Sequence, residues 1–195
     1  MKLGKVLIVT GIPGTGKTTV CNEVLKLAER AGKKVKVVNY GSIMVGLLQE
    51  EGKSMHRDDL RKSSLSFQRN LQIKAAQKIA DIIKETDGSI IVDTHMSIKT
   101  ADGYWPGLPN HVLQLIKPDV FVLVEAEPEE ILSRRLRDKT RRRDKVLEEE
   151  IREELLFSRL MASACSVSTG ASVKIVKNSE GKQVEAAKEI IKLLE

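Results

Sequence analysis

A chain of 195 residues with 41% apolar, 31% charged and 3% aromatic side chains has the material for one α/β domain with a core of Val, Ile, Leu and Ala. A chain of this length buries roughly 70% of its unfolded surface, so it needs no second domain. The net charge of +6 is spread over 33 basic and 27 acidic residues that interleave, which suits a nucleotide partner as well as a nucleic acid; no apolar run nears the ~20 residues of a membrane span.

The first apolar run, VLIVT (6–10), leads into GIPGTGKTT (11–19). Gly11, Gly16, Lys17 and Thr18 stand at the spacing G-x-x-x-x-G-K-[ST], between a strand and a helix that runs to Ala31 and stops at Gly32. Glycines at those places let the backbone curl so that successive N–H groups face a phosphate. The whole loop, Gly11, Ile12, Pro13, Gly14, Thr15, Gly16, Lys17, Thr18 and Thr19, is therefore the expected cradle for a nucleoside triphosphate. Lys17 would reach the β- and γ-phosphates, and the Thr18 hydroxyl would ligate Mg2+. GTPases, motors and small-molecule kinases share such a loop; an N-K-x-D base-reading motif is absent, which disfavours the first.

A second run, VKVVN (35–39), precedes Tyr40 and Gly41, which are expected to end that strand. Ser66 to Glu85 carries apolar residues at Leu71, Ala75, Ile79, Ile82 and Ile83, a helical period. SIIVD (89–93) ends on Asp93, where open α/β sheets place their ligand crevice, making it the candidate carboxylate for Mg2+. YWPGLP (104–109) holds two prolines and a glycine and reads as a rigid loop.

VFVLVE (120–125) is followed by a helix that Pro128 opens. RDKTRRRD (137–144) has five basic residues in eight and fits no core element. A long helical pattern over 146–168, the strand SVKIV (172–176) and a last helix over 184–194 complete the chain. Five β-branched runs alternating with helices predict a P-loop three-layer α/β/α fold with a five-stranded parallel sheet. Cys21 and Cys165 match no metal or redox spacing and are expected as free thiols in a reducing, cytoplasmic setting.

Taken together, VTGIPGTGKTT, VNYG (38–41), RDDLRKSS (57–64), LQIKAA (71–76), VDTHMSIKTADGYWPGLP (92–109), VEAEPEEILSRRLRD (124–138) and KNSEG (177–181) resemble the archaeal type of adenylate kinase, in the same order and over nearly the whole chain. The resemblance implies reversible γ-phosphoryl transfer from ATP to AMP, giving two ADP, with Mg2+. It implies the strand order 2-3-1-4-5, one domain over 1–195, an acceptor-binding helical region at about 40–70, a short basic lid at about 134–145, and homotrimers. On the acceptor side it points to Tyr40, Gly41, Arg61, Gln72, His95, Lys99 and Gly107. For transfer itself it points to Lys17 and Arg61 with the lid arginines Arg134, Arg137, Arg141 and Arg143, which Asp138 or Asp144 would tie in place. The nucleoside triphosphate in the cradle is then ATP, and Asn178 and Gly181 would hold its adenine. The residues themselves leave two alternatives open: a kinase for CMP or UMP, and an RNA-associated ATPase that uses the same cradle as a switch.

Overall fold

The computed structural model describes residues 4–53, 63–100, 103–137 and 147–194. Strands β1 (Val6–Thr10), β2 (Val35–Asn39), β3 (Ser89–Asp93), β6 (Val120–Glu125) and β7 (Ser172–Lys177) form one parallel sheet in the order β2-β3-β1-β6-β7. The numbering departs from the expected 2-3-1-4-5 because a separate antiparallel hairpin, β4 (Ser97–Thr100) and β5 (Gly103–Pro106), intervenes between β3 and β6. YWPGLP is thus a correction: its first three residues pair as β5, Tyr104 with Lys99 and Trp105 with Ile98, instead of forming a free loop.

The central strands β1, β3 and β6 are buried on both faces, the edge strands β2 and β7 are less covered, and strand alternation decides which side chain goes where. From β1, Leu7 and Val9 pack with Val20, Cys21 and Val24 of α1 (Lys17–Arg30) and with Ala186, Ala187 and Ile190 of α7 (Gln183–Lys192). Val6 and Ile8 face the other way, onto a larger core from α2 (Tyr40–Glu50), α3 (Leu65–Glu85), α4 (Asn110–Ile116) and α6 (Glu148–Thr169). A third, small cluster, Ala126, Ile131, Ile151 and Leu155, binds α5 (Pro128–Arg137) to α6. Cys21 and Cys165 are both buried and free.

The helix ends obey local chemistry. Gly32 takes up the left-handed conformation (φ 63°) after α1, and Ser64 caps α3 by accepting from the Phe67 N–H. Tyr40, expected at the end of β2, is instead the first residue of α2, because the Asn39 side chain accepts from the Ser42 N–H and starts a helix there. Register aligns Val9 and Asn39 with Asp93, so the carboxyl ends of β1, β2 and β3 finish level. Among the described residues no helix is long and apolar enough to cross a membrane.

Candidate active site

The loop after β1 turns into α1 through two left-handed glycines, Gly14 (φ 96°) and Gly16 (φ 78°). A β-carbon on Gly16 would sit 2.5 Å from Asn178 Nδ2, and one on Gly11 would sit 2.6 Å from the Val124 carbonyl oxygen. The glycines therefore serve both curvature and close packing. The outward carbonyls of the loop are held from several parts of the chain. Gly11 O lies 3.0 Å from His95 Nδ1, which must donate because a carbonyl only accepts. Ile12 O accepts from the Thr15 hydroxyl at 3.0 Å, Pro13 O from Arg135 Nε at 2.7 Å and Thr15 O from Asn178 Nδ2 at 2.8 Å. The Thr15 N–H also closes onto Ile12 O at 3.3 Å, and the N–H groups that open α1 remain as donors for an anion.

One of these braces, Arg135, was outside the sequence expectations. Arg135 is buried, and its guanidinium forks onto Glu154 of α6 at 2.6 and 3.4 Å while reaching Pro13. No pattern distinguishes it from its neighbour Arg134, and only burial does so. Arg134 donates to Asn178 O at 3.0 Å, to Thr15 O at 3.4 Å and to Glu180 at 3.2 Å, which places it at the edge of the donor site. Arg137, mostly exposed, pairs with Glu180 at 3.5 Å. Asn178 is buried below the loop, and Gly181 (φ 72°) turns the chain toward α7. Asn178 thus supports the cradle through its side chain, which leaves the backbone of its loop for the base contact that the resemblance implies.

Lys17 is buried and its ammonium faces Asp93 Oδ1 in an ion pair at the sheet's carboxyl end. The second carboxylate oxygen accepts from Asn39 Nδ2 at 2.7 Å. Asn39 was not anticipated, although an Asn three residues before Ser42 is a helix-cap signal. The Thr18 side chain is exposed beside the loop. Among the described residues no group of three or more His, Cys, Asp or Glu could hold a metal ion alone. Thr18 and Asp93 are oxygen donors that fit Mg2+ when phosphate oxygens complete its shell.

On the far side of Lys17 opens a cavity lined by Asn39, Tyr40, Gly41, Gln72, His95 and Gly107, with Met44, Val45 and Ile98 as its apolar wall. Five of the acceptor-side candidates therefore converge with Lys17 and Asp93 on one space. Tyr40 enters it by its ring, because its buried hydroxyl donates to the Gln72 carbonyl at 2.5 Å and burial pushes its pKa up. Gln72 Nε2 reaches Pro106 O at 3.4 Å. Gly107 is required by contact: a β-carbon there would come within 2.0 Å of the His95 carbonyl oxygen.

Lys99 is the exception. It is exposed on β4 and absent from the lining, because the pleat alternates and it is Ile98 that turns toward the cavity. Tyr104 stacks on Phe157 of α6 with ring centroids 4.2 Å apart, so this part of the aromatic cluster anchors the hairpin to the core. Arg61, Arg141 and Arg143, with Asp138 and Asp144, lie outside the described residues.

A family model described as an AAA domain matches residues 10–152. The adenylate kinase of Methanocaldococcus jannaschii is 45% identical over 97% of this chain and 98% of the relative. That of Sulfurisphaera tokodaii is 46% identical over 98% of each, and that of Methanopyrus kandleri 44% over 97% of each. Among solved structures, a shikimate kinase from Bacteroides thetaiotaomicron aligns over 97% of this chain and 98% of its own, with a TM-score of 0.58 and 12% identity. TT1252 from Thermus thermophilus aligns over 98% of both, at 0.61 and 12%. These two likenesses establish a shared P-loop kinase fold.

Proposed function

The chain belongs to the archaeal adenylate kinase family, and from that premise we propose that it transfers the γ-phosphoryl group of ATP reversibly to AMP, giving two ADP, with Mg2+. The observation that carries the reading is Lys17: one buried ammonium belongs to the phosphate cradle and also lines the second cavity. A triphosphate held by the loop and a monophosphate in the cavity then meet at a single positive charge.

Phosphoryl transfer asks little covalent help of a protein; it asks that two anions be aligned and their charge neutralised. The braced loop orients the donor, and Lys17, on leaving Asp93, meets the charge that develops between donor and acceptor. Bound Mg2+ would shield the β- and γ-phosphates, with Thr18 and Asp93 as the residues that hold it. On the acceptor side we assign Tyr40, Gly41, Gln72, His95 and Gly107 to AMP, by their place around the cavity. Arg61 belongs to the same proposal through the family motif, as do Arg141 and Arg143 in a basic lid over 134–145. Arg134 is the best supported lid member, since it already touches the donor loop.

Self-association as a trimer and residence in the cytoplasm complete the reading. Leu156, Leu160 and Val167 on the outer side of α6, and Val173 and Ile175 on the edge strand β7, are exposed and support an assembly surface there. Sedimentation velocity checks it: a monomer at micromolar concentration refutes the trimer.

The decisive assay follows ADP formation from ATP with AMP, CMP, UMP or GMP as acceptor. ADP production that needs AMP, with no inorganic phosphate released, is the expected result. Turnover of CMP or UMP as fast as AMP removes the assignment of the acceptor. Phosphate release stimulated by RNA without AMP replaces it with an ATPase switch.

A further inference from the structure

Asn39 ends β2, caps α2 and stands beside Asp93 in the sheet register. Its Oδ1 accepts from the Ser42 N–H at 2.9 Å and from the Ser42 hydroxyl at 3.0 Å, and its Nδ2 donates to Asp93 Oδ2 at 2.7 Å. The amide can point only this way, because a backbone N–H offers no acceptor and a carboxylate no donor. The other Asp93 oxygen faces the Lys17 ammonium. A single side chain therefore joins the first turn of α2 to the donor lysine through one carboxylate. That turn supplies Tyr40 and Gly41, and the next turn Met44 and Val45, to the wall of the proposed acceptor cavity.

Resting on the adenylate kinase reading, we propose that Asn39 is a positioning residue that couples the two nucleotide sites. A nucleotide monophosphate seated against the first turn of α2 shifts that turn and with it the capping amide. Asp93 follows its hydrogen bond to Asn39, and Lys17 is released toward the phosphates of the donor. By linkage the donor nucleotide favours acceptor binding by the same factor.

The test is calorimetric titration of the full chain, in Mg2+, with a β,γ-imido analogue of ATP, with and without saturating AMP. The parent protein should bind the analogue at least about fivefold tighter when AMP is present, the lower bound of ordinary allosteric coupling. Asn39→Ser keeps a good helix cap but has no amide for Asp93. Whatever its affinity for each nucleotide alone, it should retain a coupling between them of no more than about twofold, well below that bound. Asn39→Thr, also a capping residue, carries the same expectation and stands in if the serine variant does not fold. Parental coupling in either folded variant, or no coupling in the parent, overturns the proposal while the enzyme reading stands. A parent that neither binds AMP nor forms ADP from it overturns the enzyme reading, and the coupling falls with it.

Discussion

The donor cradle and the acceptor cavity share Lys17 but are built by opposite means. The cradle is one contiguous stretch whose carbonyls are held by its own Thr15 and, from outside, by His95, Arg135 and Asn178, so its shape is imposed largely by hydrogen bonds from other segments. The cavity is gathered from α2, α3, the end of β3 and the hairpin, and its polar members Tyr40 and Gln72 spend their hydrogen bonds on one another and on the chain. A rigid anion nest suits the ligand part common to many enzymes, whereas a cavity of apolar wall and few polar groups suits the choice of acceptor that we propose for it.

The largest effect that probes this contrast is Arg135→Ala. It removes the Pro13 brace and leaves Glu154 without its guanidinium, which should cost about 3–5 kcal/mol of stability, as breaking one side of a buried ion pair does. Thermal unfolding, together with ATP affinity measured on the folded fraction, checks it. If stability and ATP affinity are both parental, the cradle does not owe its shape to this brace.

Lys17→Met comes next. Both halves should suffer at once, with kcat lowered by two to three orders of magnitude, or about 3–4 kcal/mol of transition-state stabilisation. Steady-state kinetics in both substrates would expose a one-sided loss, which would mean that the lysine is not shared.

Gly107→Ala strikes the acceptor side alone. The new β-carbon meets the His95 carbonyl oxygen at 2.0 Å, and overpacking of this kind costs about 1–3 kcal/mol. The Michaelis constant for AMP should rise while that for ATP stays, a split visible in initial rates. A rise in both would mean that the His95 link to Gly11 carries the strain into the cradle.

Tyr40→Phe is smaller still. It deletes the bond to the Gln72 carbonyl and should cost about 1 kcal/mol of stability, read as a lower Tm, with ATP affinity untouched. Lys99→Ala completes the series: AMP kinetics should match the parent's, since the side chain stands on the outer face of β4. Weaker AMP use in that variant would bring Lys99 back to the acceptor.

The two regions also differ in how far they could be read before the structure. Gly11 to Thr19 was legible because its function is carried by the backbone, and a glycine pattern between a strand and a helix states where that backbone must bend. The central strands β1, β3 and β6 were legible for a related reason, since burial on both faces writes itself as continuous apolar runs, and the edge strands β2 and β7 were legible by their β-branched residues. Tyr40 was misplaced by one element because the cap that starts α2 depends on the Asn39 side chain folding back onto Ser42. Lys99 was expected on the acceptor side and is exposed on β4 while Ile98 lines the cavity; a hairpin made of Ser97–Thr100 and Gly103–Pro106 has no strong apolar alternation to announce which side chain turns inward. Arg135 looked like any lid arginine until Glu154, nineteen positions on, was seen to hold it under Pro13.

The sequence by itself determined the parallel fold, the phosphate cradle and the lysine within it, because these rest on local periodicity and on the conformational freedom of glycine. Only the tertiary structure decided that Asn39, Asp93 and Lys17 form one chain of contacts, that Arg135 is a brace and that Ile98 rather than Lys99 lines the cavity. Those outcomes depend on strand register, on pleat direction and on which charges lose water together, and all three are properties of segments brought side by side by the fold.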